Sequence, residues 1–261
     1  MQTLEADEKL DILGVKITAT NLNWACRKIS QWVEFRQKTY VCVAPVSTIV
    51  DCQKDPQYKA IINNAGMTTP DGMPLVWLGR MKGKKAIART YGPDLMLSLC
   101  NFSQDKGYRH YFYGSSPKTI ERLSQRLKIQ FPKLNIVGSF SPPWRGTGEY
   151  ESEEVLNQIN GVNPDILWVG LGSPKQDYWM HLHRSKLNVP VMIGIGAAFD
   201  FLAGTKPQAP VWMRRSGFEW LFRLACEPRR LWKRYLIGNT RFIYLLIKDS
   251  LKGRAKNYGT N

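Results

Sequence analysis

Between Tyr108 and Ile195 short apolar runs alternate with longer amphipathic ones, and this regularity limits the fold more than any other feature of the 261 residues. Tyr108 to Tyr113, Leu134 to Val137, Ile166 to Gly170 and Val191 to Ile195 have the length and composition of strands. Thr119 to Phe131, Glu153 to Ile159 and Gln176 to Arg184 have the period of helices. Such alternation predicts an α/β fold, a parallel sheet with helices on both faces and ligands at the carboxyl ends of its strands. The first third fits the same scheme. Leu10 to Ile17 reads as one strand, Asn21 as the N-cap of a helix through Trp32, and Tyr40 to Val43 as a second strand. Asp55-Pro56 opens a helix to Asn64, Pro70-Asp71-Gly72 reads as a turn between two candidate strands, and Pro93-Asp94 opens another helix.

After Gly204 strand signals stop, and short helical segments are broken at Pro210, Pro228 and Gly238. Residues 1–204 are therefore expected to form the α/β core, with the Asp71 turn in 1–105 and a nucleotide-binding part in 106–204. Residues 205–261 form a basic helical appendage. That tail holds 13 Lys or Arg against 3 Asp or Glu, so it carries +10 of the net +16. In it Phe218, Leu221, Phe222 and Ala225 share one face, while Leu231, Trp232, Tyr235 and Leu236 oppose Arg229, Arg230, Lys233 and Arg234. A polyanionic partner is implied, either nucleic acid or an anionic membrane surface. No run approaches the roughly 18 apolar residues of a spanning helix, and Glu5, Asp7 and Glu8 replace a signal peptide's basic start, so a cytoplasmic protein is expected.

Two glycine-bearing junctions are candidates for holding phosphate on a helix N-terminus: Tyr113-Gly114-Ser115-Ser116-Pro117, and Gly170-Leu171-Gly172-Ser173-Pro174-Lys175-Gln176. Gly, Ser and Pro also punctuate ordinary helix starts, so the two readings stay open. Asp71 in its rigid turn is a candidate base over a cleft or simply a turn residue, and Arg89 is a diphosphate ligand or a surface arginine. Asp200, after the apolar run from Val191, faces a ligand or caps a helix. The five cysteines form no C-x-x-C pair, His181 and His183 point to different sides of a helix, and no two aspartates lie two apart. No metal site is expected, which leaves a departing diphosphate to arginines and helix N-termini.

These segments together resemble the WecG/TagA/CpsF family, glycosyltransferase family 26. The resemblance rests on Thr69-Pro70-Asp71-Gly72, on Arg89 with Gly92 and Asp94, and on Gly170 through Gln176. Gly194 through Gly204, Glu219 through Leu224 and Glu227-Pro228-Arg229-Arg230 complete it. It implies a Rossmann-like, GT-E-like fold with the appendage brought over the active site. It also implies inverting, metal-independent transfer of N-acetylmannosamine, its uronic acid or another hexose from a UDP-sugar to a polyprenyl-diphosphate-linked acceptor in surface-polysaccharide or cell-wall polymer synthesis. Residue by residue, Asp71 matches the base, Arg89 the diphosphate pocket, Gln176 an active-site polar group and Asp200 the nucleoside end. Arg223 and Arg230 match arginines of the appendage. Many members carry Thr-x-Asn where this chain has Ala44-Pro45-Val46, so the sugar can differ.

The expected partners are a UDP-sugar, the lipid-linked acceptor and the inner face of the cell membrane, with no bound cofactor and with self-association left open. The alternative, a basic nucleic-acid-binding protein, draws on the net charge and nine tryptophans. Against it, the tail's aromatics fall on helical apolar faces and the usual nucleic-acid motifs are missing.

Overall fold

The computed structural model describes residues 8–143 and 146–258, with side chains as far as Leu251. Glu5 and Asp7 of the acidic N-terminal stretch lie outside them.

The expected Leu10–Ile17 strand is instead a hairpin of β1 (Lys9–Ile12) and β2 (Val15–Thr18). Leu13 and Gly14 both take positive φ, 55° and 79°, the conformation that two-residue hairpin turns need, and Asp11 accepts the Gly14 N–H at 2.8 Å. Next come α1 (Leu22–Glu34), β3 (Thr39–Ala44), α2 (Val46–Cys52), α3 (Pro56–Asn63), β4 (Met67–Pro70), α4 (Met73–Met81) and α5 (Gly92–Ser103). Asn21 and Asp55 cap α1 and α3 as their side-chain types predict, accepting from Trp24 N–H at 3.0 Å and Tyr58 N–H at 2.9 Å. Each such cap contributes about 1 kcal/mol. Asp71 therefore lies between a strand and a helix, not between two strands.

The second half follows the expected alternation: β5 (Arg109–Gly114), α6 (Pro117–Gln130), β6 (Asn135–Phe140), α7 (Glu153–Gly161), β7 (Ile166–Gly170), α8 (Lys175–His183), β8 (Val191–Gly194) and α9 (Ala198–Ala203). Six strands form one parallel sheet in the order β4-β3-β8-β7-β5-β6. Period-2 alternation puts Tyr40, Cys42 and Ala44 of β3 into the core on one face and Val41 and Val43 into the core on the other. The register aligns Ala44 with Pro70, Cys42 and Val169 with Gly194, and Gly114 with Gly170, so the carboxyl ends of five strands share one edge.

The chain continues through α10 (Val211–Ser216), α11 (Glu219–Cys226) and α12 (Pro228–Trp232), then through a π-helical turn (Lys233–Ile237) into α13 (Gly238–Tyr258). Gly238 was expected to break this segment but keeps helical angles, φ −63° and ψ −48°, at the π-to-α junction. Leu231 and Phe242 are buried in this part, and Phe242 joins the core around α2. Burying such a side chain is worth roughly 1.5–3 kcal/mol relative to leaving it in water, which favours the packing of α13 on α2. Among the described residues, no helix is long and apolar enough to cross a membrane.

Candidate active site

The shared edge opens into a cavity of ≈ 340 Å³. Its floor comes from the ends of β3, β7 and β8 and its roof from the helices after Gly204, and Asp71, Gly172, Ser173, Gln176, Asp200, Arg223 and Arg230 all contribute to its walls. Five basic side chains, Lys175, Lys206, Arg223, Arg230 and Arg234, line it against two carboxylates, Asp71 and Asp200. Opposing charge on this scale suits a polyanionic ligand.

The β7–α8 loop is braced from within. Buried Gln176 accepts the Gly172 N–H through Oε1 at 3.1 Å and donates through Nε2 to Ser173 Oγ at 3.3 Å. Gly172 takes φ +80°, and Gly194 leaves the room that Gln176 occupies, since a Cβ there would fall 2.9 Å from Nε2. Gln176 thus shapes the loop that walls the cavity. Asp200, in the first turn of α9, accepts from Thr205 Oγ1 at 3.2 Å and lies 3.8 Å from Lys206 Nζ.

Gly114 and Ser115, the other expected phosphate junction, do not line this cavity. Gly114, at φ +118°, presses onto Gly170, where a Cβ would come within 2.7 Å of the backbone, and Ser115 N–H donates to Gly170 O at 3.2 Å. This junction ties β5 to β7.

Asp71 follows β4, and its N–H donates to Ala44 O at 3.1 Å, extending the β3–β4 ladder. Its carboxylate meets Arg89 Nη2 at 3.3 Å. Arg89 also donates from Nε to the Asp71 carbonyl, from Nη1 to Arg214 O at 3.0 Å and from Nη2 to Glu219 Oε2 at 2.5 Å, and its guanidinium lies 4.1 Å from the centre of the Tyr91 ring. Arg89 is therefore committed to the carboxylates, beside a second cavity of ≈ 120 Å³ that meets the first at Pro45, Asp71, Arg223 and Arg234. Burial pushes the Asp71 carboxyl above the usual carboxylate range; Arg89 opposes this and the Glu219 carboxylate reinforces it. Such a carboxylate accepts a proton more readily than an exposed one, as general-base work requires.

Sequence reasoning missed Glu219, Arg214, Arg234, Tyr91 and Lys206. Glu219 belongs to the Glu219–Leu224 segment that carries part of the family resemblance, but only the fold reveals its partner Arg89. Arg234 donates through Nε to Ser47 Oγ at 2.9 Å across 187 residues, a contact no local pattern signals. Among the described residues, no three His, Cys, Asp or Glu side chains cluster to hold a metal ion. His183 is instead satisfied, with Nδ1 against Trp179 O at 2.7 Å and Nε2 accepting the Glu151 N–H at 2.9 Å.

A parallel α/β sheet with a cationic cavity at its carboxyl edge and a buried carboxylate on the wall is an enzyme-like arrangement that can hold an anionic ligand beside a proton acceptor. The chain belongs to the WecG/TagA/CpsF glycosyl transferase family, whose model matches residues 10–256. An N-acetylglucosaminyldiphosphoundecaprenol N-acetyl-beta-D-mannosaminyltransferase of Bacillus spizizenii is 32% identical over 80% of this chain and 78% of its own length. Proteins of the same description from Bacillus subtilis and Staphylococcus aureus are 28% and 24% identical, over 84% and 95% of this chain and 86% and 94% of theirs.

Proposed function

We propose that this glycosyltransferase moves an N-acetylmannosamine-like sugar from a UDP-sugar onto a sugar linked through diphosphate to a polyprenyl lipid, with inversion and without a metal ion. The observation that carries the reading is the position of Asp71, at the junction between the cationic cavity and the smaller one beside it. The donor diphosphate is assigned to Arg223, Arg230, Arg234 and Lys206 with the Gly172 loop, and the nucleoside to the Asp200 end. The acceptor enters from the smaller cavity. Its hydroxyl oxygen bonds to the anomeric carbon as the bond to the UDP oxygen breaks, and Asp71 takes the hydroxyl proton. Charge developing on UDP is stabilised by fixed cations and loop N–H groups. One displacement from the face opposite UDP inverts the anomeric centre.

The acceptor assignment draws on the activity named for the relatives, and the single base at the cavity junction supports it. Ala44-Pro45-Val46 lies beside the Asp71 junction, with Pro45 lining both cavities, so it is placed to tune the choice of sugar. The apolar side chains exposed on the basic appendage, Trp212, Leu221, Trp232 and Leu236 among them, support peripheral docking on the inner membrane face. A panel of UDP-sugars tested for protection against thermal unfolding examines the reading, because a ligand bound only to the folded state raises its stability. One UDP-sugar should stand out. Stabilisation by oligonucleotides and by no UDP-sugar contradicts the proposal.

A further inference from the structure

Beyond the second cavity the surface continues as an apolar groove of ≈ 510 Å³ between α4 and α13. Trp77, Leu78 and Met81 form one wall, and Leu236, Ile243 and Leu246 form the other. Trp77, Met81, Leu236 and Ile243 are all exposed, so the groove holds carbon surface in water on both sides. An apolar patch of this kind marks a binding surface.

The groove is continuous with the candidate active site. Val46, Pro74, Trp220, Tyr235 and Asn239 line both it and the ≈ 120 Å³ cavity that reaches Asp71. Arg214, Arg223 and Arg234 line that connecting cavity, and Arg214 Nε is buried without a hydrogen-bond partner. Moving outward from Asp71, the wall therefore changes from carboxylate to guanidinium to hydrocarbon. A sugar hydroxyl, a diphosphate and a prenyl chain follow one another in that order along a polyprenyl-diphosphate sugar.

We propose that the α4–α13 groove binds the first isoprene units of the acceptor's polyprenyl chain, with the acceptor diphosphate against Arg214, which lines the connecting cavity but not the larger one. This rests on the transferase reading above and adds to it a lipid subsite separate from the donor cavity. The bulk of a long prenyl chain stays in the bilayer, and the groove draws the diphosphate end out far enough for the sugar to reach Asp71.

Farnesyl diphosphate is a soluble probe that pairs a diphosphate with three isoprene units, and inorganic diphosphate is its control. Binding of both to the full chain, without vesicles, is measured by calorimetry for the native protein and for Ile243→Lys and Met81→Lys, which place an ammonium on opposite walls. Since hydrophobic stabilisation scales with the apolar area buried, the native protein should bind farnesyl diphosphate roughly tenfold or more tightly than diphosphate. Each substitution should remove most of that difference. Both positions are solvent-exposed, and thermal unfolding confirms that each variant is folded.

Equal affinity of the native protein for the two probes overturns the proposal. So does farnesyl binding that survives both substitutions, or sedimentation showing that the groove is covered by a second copy and freed by Ile243→Lys. The UDP-sugar panel, run on the same preparations, separates the two failures. UDP-sugar protection without farnesyl binding sinks the groove alone, whereas loss of UDP-sugar protection sinks the transferase reading from which the groove's occupant is inferred.

Discussion

Glu219 Oε2 lies 2.5 Å from Arg89 Nη2, the same nitrogen that meets Asp71 Oδ1 at 3.3 Å. A residue of the appendage thus competes with the candidate base for one guanidinium and adds its own negative charge nearby. Both effects favour the protonated form of Asp71, in the direction burial already drives it. Glu219→Gln should leave Arg89 paired with Asp71 alone and lower the pKa of the base. Because the base works deprotonated, the acidic limb of the kcat/KM profile should move to lower pH while the plateau falls about three- to tenfold as the base weakens. A pH profile of the variant with an unmoved acidic limb contradicts this coupling.

The larger cavity, proposed to hold the donor, carries its positive charge on Lys and Arg side chains, and the described residues offer no cluster of metal ligands. Transfer should therefore persist in excess EDTA. A reaction abolished by the chelator and restored by Mn²⁺ contradicts the assignment of the diphosphate to arginines.

The appendage combines its basic excess with exposed apolar side chains, among them Trp212, Leu221, Trp232 and Ile243. The full chain should sediment with anionic vesicles at low salt and be released as ionic strength rises toward ~1 M, where the screening length shrinks to about 3 Å. Trp212→Ala should weaken binding at every salt concentration. Binding that ignores salt contradicts the electrostatic part.

His110 predicts a pH dependence of stability unrelated to the site. It accepts the Trp168 Nε1–H at 2.9 Å, and burial pushes its pKa down to about 3 from the ordinary 6.5. The unfolded imidazole takes a proton at the ordinary value and the folded one only near the depressed value, so the stabilisation is present above 6.5 and lost as pH falls toward 3. The slope in that window is roughly 1.4 kcal/mol per pH unit. His110→Gln should lose this slope, so urea midpoints of the two proteins, well separated at neutral pH, should converge in mild acid. Parallel midpoints contradict the burial.

Much of the fold was legible because its signals are local. Asn21 and Asp55 announce helix starts through side chains that satisfy nearby N–H groups, and the alternation after Tyr108 fixes a parallel sheet. Other features depend on backbone angles or distant partners. Leu13 and Gly14 turn a continuous apolar alternation into a hairpin, and Gly238 stays helical although glycine often ends helices. Met73-Pro74-Leu75-Val76-Trp77 is apolar enough to pass for a strand, which hid α4. The junctions at Gly114 and Gly172 share the same residue types, yet one packs against Gly170 and the other lines the cavity. Asp71, Gln176, Asp200, Arg223 and Arg230, distant in sequence, line one cavity, whereas Arg89 faces the carboxylates of Asp71 and Glu219.

The most direct test of the central claim is the turnover of Asp71→Asn, measured alongside its thermal protection by the preferred UDP-sugar. An amide keeps the size of the side chain and removes its basicity. The variant should remain folded and donor-protected while turnover falls about a hundredfold or more, the loss expected when a general base is removed. A folded Asp71→Asn protein that transfers sugar at close to the native rate contradicts the assignment of Asp71 as the base.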